Sequence, residues 1–364
     1  MSPPSRDTGE SVSNMSNNTL AQSLGSAVEQ GMNAREAVMA NKDMDWEPSF
    51  SEMQFLGKCE HTGEDQWLPS VKGTRTVINS LTGEAIGEVG RSYVGIPNRD
   101  AFALADKITG AEIVSCGQWG GGATAYMQMK LTDKSNIVKL LSGIEDVIDQ
   151  YLLMTTGHTA NGNRQTLITP IRVWCKNTLN QALRNKKANL SGLVRHTGDV
   201  KGKLNTADNL LTQAGIFFKD MASSFQLLAN AQVKDDVVKQ YFMDVEKVDR
   251  TNEAHWEVVN GKITDQLKGR KRNMVDRYLN AYNGERGGAS RDGVRGTLWG
   301  AYNAVTYVQD HDVVEEKRNS PTKDATGAIK QSGAERAAHQ LFTAGVEVKG
   351  RALTAALNIQ QTLN

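Results

Sequence analysis

The chain has 364 residues, a length that suffices for one large domain or two of ordinary size. Of these residues 39% are hydrophobic and 23% charged, and the formal net charge is +1. No apolar run approaches the roughly 18–20 residues of a membrane-spanning helix, and the polar N-terminus lacks the apolar core of a signal peptide, so we predict a cytoplasmic protein. The three cysteines and six histidines are scattered, which argues against a disulfide framework and gives no support for a metal or other cofactor.

The small net charge conceals an uneven distribution along the chain. Residues 1–66 contain four Lys or Arg and 11 Asp or Glu, a net charge of −7, so the remaining residues carry +8. This split indicates that the larger part meets a polyanion while the N-terminal part does something else. Chance clustering on a solvated surface is the alternative.

The first 50 residues show weak structural signals. Residues 1–24 are rich in Ser and Asn, and we expect a disordered polar tail. Weak helical periodicity follows, and Asn33 is placed to cap a short helix that runs to Met39. Pro48 then lies in a stretch with strand character, where its missing N–H excludes a central position in a sheet.

The clearest pattern spans residues 74–131, where two predicted β-hairpins flank a short helix. TRTVINS and AIGEVGRSYVGI are β-rich runs joined at Thr82-Gly83, whereas AEIVSCGQW and ATAYMQMKL are joined by a glycine triplet. Between the hairpins, Asn98 is the predicted N-cap of the helix and Gly110 its stop. The apolar face of that helix comprises Phe102, Ala105 and Ile108.

Beyond these hairpins the pattern changes from strands to helices. Residues 146–158 and 165–175 are predicted strands, the second containing Pro170. Amphipathic helices follow in 204–228, VKDDVVKQYFMDVEKV, KGRKRNMVDRYLNAYN, TLWGAYNAVTYVQDH and AERAAHQLFTAGVEVKGRALTAALNI.

The sequence thus predicts an α+β fold, in which an antiparallel sheet of β-hairpins with a short helix between them precedes a mainly helical C-terminal half. The predicted units are the tail (1–24), an α+β core (25–200) and a helical region (201–364) that packs on the core or extends from it.

Three features invite a catalytic interpretation. WGGGATAY resembles a phosphate loop, but no helix and no lysine follow as such a loop requires, so a hairpin turn is favoured. Cys175 lies between a predicted strand and a helix, where a base such as His158 or His196 can activate a thiol, yet a buried structural cysteine is favoured. Pairs of carboxylates can serve in acid–base catalysis or hold magnesium, and the candidates are Asp235-Asp236, Asp310/Asp312 and Glu315-Glu316. Of these, only Asp310-His311-Asp312 looks like a site. It lies at the end of a predicted helix, where charges are ordinarily solvated.

Basic segments give the stronger signal. Residues 184–203 carry a net charge of +5 and residues 268–277 carry +4, and Arg286, Arg291 and Arg295 follow in a glycine-rich loop. Such dense cations attract the phosphate backbone of nucleic acids, and Tyr93, Trp119 and Tyr126 are candidates for stacking on bases. In the alternative interpretation, the basic segments are simply solvated helix faces and the aromatic side chains belong to the core. Both interpretations stay open. The predicted nucleic-acid-binding residues are Arg184, Lys186, Lys187, Arg195, Lys201, Lys203, Lys268, Arg270, Lys271, Arg272 and Arg277.

Four motifs occur in order along the chain: GEAIGEVGRSYVGIPNRDAF, IRVWCKNTLNQAL, VRHTG and LWGAYNAVTYVQDH. Over residues 40–350 they resemble the phage/plasmid-like protein family known as domain of unknown function 932. The resemblance implies a mobile-element origin and brings no catalytic residues. Cys175 and His196 lie inside its motifs, and Tyr307 stands where the family usually has glutamate.

A second resemblance, of architecture alone, is to single-strand annealing recombinases, which are metal-independent and oligomeric. Together these features predict a non-catalytic protein that binds single-stranded DNA in annealing, recombination or replication, as a homo-oligomer. One alternative is an interaction protein that contacts a host or phage protein through its acidic N-terminal segment. The other is an enzyme that uses Cys175.

Overall fold

The computed structural model describes residues 25–58, 61–69, 73–143, 145–159, 165–172, 189–190, 216, 219–284, 293–327 and 329–363. The predicted polar tail lies outside these residues. Strands dominate the first half, and their bounds are β1 (Ser26–Ala27), β2 (Pro48–Glu52), β3 (Gln54–Lys58), β4 (Asp65–Pro69), β5 (Thr74–Asn79), β6 (Ala85–Gly90), β7 (Ala111–Trp119), β8 (Thr124–Lys139), β9 (Glu145–Gly157), β10 (Gln165–Arg172), β11 (Asn189–Leu190), β12 (Trp256–Val259), β13 (Lys262–Leu267), β14 (Thr322–Lys323) and β15 (Ile329–Gln331).

Helices dominate the second half. They are α1 (Ala34–Ala40), α2 (Asn98–Ala101), α3 (219–230), α4 (Asp235–Val245), α5 (Gly269–Asn283), α6 (Leu298–Tyr307), α7 (Val313–Arg318), α8 (Gly333–His339) and α9 (Gly345–Leu363). Two π-helical segments, Val308–Asp312 and Gln340–Ala344, connect α6 to α7 and α8 to α9. The predicted α+β class, with strands first and helices after, is confirmed.

The largest sheet has the strand order β1-β7-β8-β9-β10-β11, and every described pairing in it is antiparallel. Its two central strands are the longest, with 16 residues in β8 and 13 in β9. Alternate residues of β8 are all buried, which closes one face of the sheet over the core. They are Ala125, Met127, Met129 and Leu131.

The first predicted hairpin forms a separate sheet with the order β2-β5-β6. Its β5–β6 turn contains Gly83 with φ 73°, as the predicted tight turn requires. Pro48 begins β2, which lies at the edge of this sheet, so the exclusion of proline from a central position is confirmed. Strand β6 ends at Gly90, earlier than the predicted run to Ile96.

The glycine triplet closes the second hairpin as a turn. Gly122 has φ 105°, and a Cβ there would lie 2.6 Å from the Trp46 ring. Both the backbone conformation and the close ring require glycine, which explains the triplet without a phosphate.

The helix predicted between the two hairpins differs in its cap and in its length. Asn98 is not an N-cap, because α2 begins at Asn98 itself after Pro97 and lasts four residues. The Asn98 side chain is buried instead, and its amide donates to the carbonyl of Met44 at 3.0 Å. Before Asn33, Ser26 and Ala27 pair with β7. The α1 prediction is confirmed, with Asn33 and Glu36 forming a capping box.

The helical half contacts the sheet where β8 and β9 meet. The indole N–H of Trp299 on α6 donates to the Asp146 carboxylate on β9 at 2.9 Å, and both side chains are buried. Gln226 on α3 binds the backbone N–H and carbonyl of Lys139 at 2.9 and 2.8 Å. The predicted boundary at residues 200 and 201 lies outside the described residues and stays a prediction.

Candidate nucleic-acid interface

The described part of the predicted cationic site is the start of α5. Lys268 precedes this helix in an extended conformation, and its backbone N–H donates to the carbonyl of His255 at 3.0 Å. This bond fixes the start of α5 beside the base of the β12–β13 hairpin. The helix forms because apolar residues recur at helical spacing and are buried, namely Met274, Val275, Tyr278, Ala281 and Tyr282.

The charge of the first turn of α5 opposes helix stability. Cations occupy Lys268, Arg270, Lys271 and Arg272, and the first turn contains no acidic residue. The N-terminus of a helix is partly positive, so each exposed cation there is unfavourable by about 0.3–1 kcal/mol. Such a departure from helix electrostatics is expected where function rather than stability selects the residues, and both the cations and the helix dipole attract anions.

Two of these cations have partners within the fold. The Lys271 ammonium donates to the carbonyl of Glu246, which ties α5 to the end of α4. Arg272 lies 3.6 Å from the Asp276 carboxylate one turn further along, and both side chains are more than half exposed. Exposed pairs of this kind contribute little stability, so Arg272 is available to exchange Asp276 for a phosphate.

The other three cations differ in how strongly the fold holds them. Arg277 donates to Glu316 on α7 at 2.8 Å, and this hydrogen bond holds the pKa of Glu316 below its usual 4.5. Among the described residues, neither Lys268 nor Arg270 forms an ion pair, and Arg270 is exposed. The charge of Arg270 also helps to lower the pKa of Glu316, and Lys268 is half-buried, so these two cations are held less tightly than Arg277.

The sequence analysis missed the β12–β13 hairpin next to this surface. Its turn is Asn260-Gly261, with φ 51° and 73°, and this dipeptide is a strong hairpin signal that the helical pattern around it obscured. Arg250 precedes the hairpin and packs against it, because its guanidinium lies 5.0 Å from the centroid of the Trp256 ring and 3.8 Å from the Asp265 carboxylate.

Most of the other predicted site residues lie outside the described residues. Within the glycine-rich loop, Arg295 is exposed and donates to Asn283 at 3.0 Å. The predicted nucleic-acid-binding residues outside the described part are Arg184, Lys186, Lys187, Arg195, Lys201 and Lys203. The candidates Arg286, Arg291, Cys175 and His196 also lie outside it.

The proposed base-stacking role does not fit Tyr126, which is fully buried. Burial raises its pKa well above the usual 10.0, and its ring lies 5.7 Å from that of Trp119. Tyr93 and Trp119 are half-buried. The alternative, in which aromatics of the sheet belong to the core, therefore holds for Tyr126.

His158, a candidate base for Cys175, has a structural position. Its ring is buried, its Nε2 lies 2.8 Å from the Asn98 side-chain oxygen, and the Trp46 ring packs on it at 4.8 Å. These contacts join the end of β9 to the start of α2. They explain the burial of Asn98 without a catalytic role for His158.

The prediction that Asp310 is solvated at a helix end is wrong. The helical path continues through the π-helical segment, and Asp310 is buried in an ion pair with the Lys349 ammonium. Burial lowers the pKa of Lys349, and the Asp310 carboxylate opposes that shift. Of the other carboxylates, Asp235 and Asp236 are exposed on the first turn of α4, and Glu315 and Glu316 are exposed on α7.

Buried polar groups next to this ion pair form a connected network. Gln309 donates to the Tyr278 hydroxyl at 2.6 Å and accepts from Gln340 at 2.9 Å. Tyr278 in turn donates to Glu246 at 2.8 Å. The network joins α4, α5 and both π-helical segments. Because it is buried, it holds the helices in register rather than presenting acids to a substrate.

The described residues contain no group of three or more His, Cys, Asp or Glu that could hold a metal ion. The helices in the described ranges are too short or too polar to cross a membrane.

Comparison with known proteins gives one match. The family described as "Domain of unknown function (DUF932)" matches residues 85–339, which is most of the chain, and the protein belongs to this family. The resemblance stated from the four motifs is thereby confirmed, whereas the phage or plasmid association and the likeness to annealing recombinases stay predictions. No curated protein and no solved structure matches.

Proposed function

We propose that this protein binds single-stranded DNA without catalysing a reaction on it, in annealing, recombination or replication. In this proposal it works in the cytoplasm of a cell that carries a phage or plasmid. The first turn of α5 carries the proposal, since it concentrates cations where helix electrostatics disfavour them, and neither Lys268 nor Arg270 forms an ion pair among the described residues.

The mechanism that follows is electrostatic. Phosphates displace condensed counterions when they meet the cations of α5, and this release of ions drives binding at low salt. The weak Arg272–Asp276 pair can open at small cost to add a further contact. Bases held by their backbone stay available for pairing with a second strand.

A charge-reversal variant tests the assignment. Lys268→Glu combined with Arg270→Glu should weaken binding to a labelled single strand by roughly tenfold or more at low salt, and should reduce the slope of log K against log salt by about 1.4. The control is Lys42→Glu combined with Lys107→Glu, two exposed lysines of the sheet half. Equal binding by both double variants would remove α5 from the interface.

A further inference from the structure

The β3–β4 ribbon exposes an apolar pair. Leu56 and Trp67 lie directly opposite each other in its register, and 55% and 66% of their surfaces are exposed. Trp67 is the most exposed large hydrophobic side chain among the described residues. A tryptophan and a leucine side by side in water form an apolar patch that favours association.

The ribbon that carries this patch is narrow. Within the part of the chain that the structure describes, β3 and β4 pair with each other alone and form a sheet of two strands. A two-stranded ribbon is marginally stable in water unless an apolar face packs against something. Burial of the face that carries Trp67 would provide that support.

The charges on the same face are self-complementary. Lys58 pairs with Asp65 in the register, two residues along the strands from Leu56 and Trp67, so all four side chains project from one face. A two-fold axis parallel to the strands places β3 of one copy over β4 of the other. Lys58 of each copy then faces Asp65 of the other, and Leu56 faces Trp67.

We propose that this ribbon face is the contact between two copies of the chain, packed face to face at the usual sheet separation of about 10 Å. The contact lies outside the residues that define the family, 85–339, and does not depend on DNA binding. Nucleic acid is the less favoured occupant, because residues 43–66 contain seven Asp or Glu and one Lys.

The size of the ribbon sets the expected affinity. A face of two five-residue strands per copy is at the small end of specific interfaces, so we expect a Kd on the order of 10–100 µM. The apolar centre should make dimerisation insensitive to salt or stronger with it, since salt screens the repulsion between two acidic segments. DNA binding has the opposite salt dependence.

The first experiment is sedimentation equilibrium of the full chain without DNA, over a concentration range that spans the expected Kd. The wild-type chain should dimerise, and Trp67→Ser should weaken dimerisation by roughly tenfold or more, because a central tryptophan commonly dominates an interface. Leu56→Ser should also weaken it. The matched control is Leu81→Ser, because Leu81 lies in the β5–β6 turn and is 55% exposed, as Leu56 is.

A charge-swap experiment separates contacts between copies from effects within one copy. Lys58→Asp and Asp65→Lys should each weaken dimerisation, since like charges then face each other. An equimolar mixture of the two variants should form heterodimers with near wild-type affinity, because every facing pair is again opposite in sign.

Two results would overturn the proposal. One is a chain that stays monomeric throughout the concentration range, which would leave the ribbon to a different protein partner. The other is a dimer that neither Trp67→Ser nor the charge variants weaken, which would place the contact elsewhere. Circular dichroism of each variant shows whether the fold is retained.

Discussion

Cys116 shows how burial sets the chemistry of a single side chain in this fold. The thiol is buried in the core beside α1, and this burial raises its pKa from the usual 9.0 to about 11, although a hydrogen bond with Asn41 opposes the shift. Because the thiolate is the reactive form, Cys116 is inert at neutral pH. Its role in this sheet is structural.

The raised pKa of Cys116 predicts a pH dependence of stability. The unfolded chain loses the thiol proton near pH 9, whereas the folded chain keeps it until about pH 11, so the free energy of unfolding falls as pH rises through this window. Between about pH 8 and pH 10 the wild-type chain should lose about 1 kcal/mol more than Cys116→Ala. Urea unfolding at both pH values measures this difference, and equal losses would contradict it.

The buried ion pair of Asp310 and Lys349 gives a second test of burial at the scale of residues. Lys349→Met leaves the buried Asp310 without its cationic partner, and we expect a loss of about 3–5 kcal/mol in the free energy of unfolding. Adding Asp310→Leu to that variant should recover much of the loss, because no buried charge remains. Urea unfolding of both variants checks this, and a double variant as unstable as the single one would indicate a packing effect instead.

The burial of Asp310 could not be predicted from the sequence, for a physical reason. Asp310 was predicted to lie at a helix end because a charged tripeptide usually marks solvent. Its burial depends on Lys349, which follows 39 residues later in the chain, and on a π-helical segment that turns the carboxylate inward. Neither feature has a local signature in the sequence.

At the scale of elements, local chemistry was sufficient where the turns and caps are strong. Capping and turn residues predict the capping box of α1 and the hairpins around Gly83 and the glycine triplet. The spacing of apolar residues predicts the helices α4, α5, α6 and α9. Asn98 failed as a cap because tertiary contacts with Met44 and His158 bury its side chain. Such contacts override local preference.

The missed β12–β13 hairpin gives a test at this scale. Gly261 has φ 73°, a conformation that alanine adopts only with strain, so Gly261→Ala should lower the free energy of unfolding by about 1 kcal/mol. Gly90→Ala is the control, because a Cβ there meets open space and the backbone is not left-handed. Thermal unfolding distinguishes them, and equal effects of the two substitutions would show that the turn tolerates a side chain.

For the whole molecule, the sequence located the cations of α5 but not the contacts that hold them. Charge counting found the cations of α5 because they are contiguous, and the structure adds that Lys271 and Arg277 are held by Glu246 and Glu316. The contacts of Arg250 with Trp256 and Asp265 depend on the hairpin and have no local signature in the sequence. Trp299 and Asp146 join the helical half to the sheet over 153 positions, a contact that spacing cannot reveal.

Binding of single-stranded DNA through phosphate contacts is the function proposed for this protein. Titration of the purified chain into a labelled single-stranded oligonucleotide, at several salt concentrations and beside a duplex of the same length, tests it most directly. We expect tighter binding to the single strand and a log K that falls steeply and linearly with log salt. The absence of binding even at low salt would contradict it.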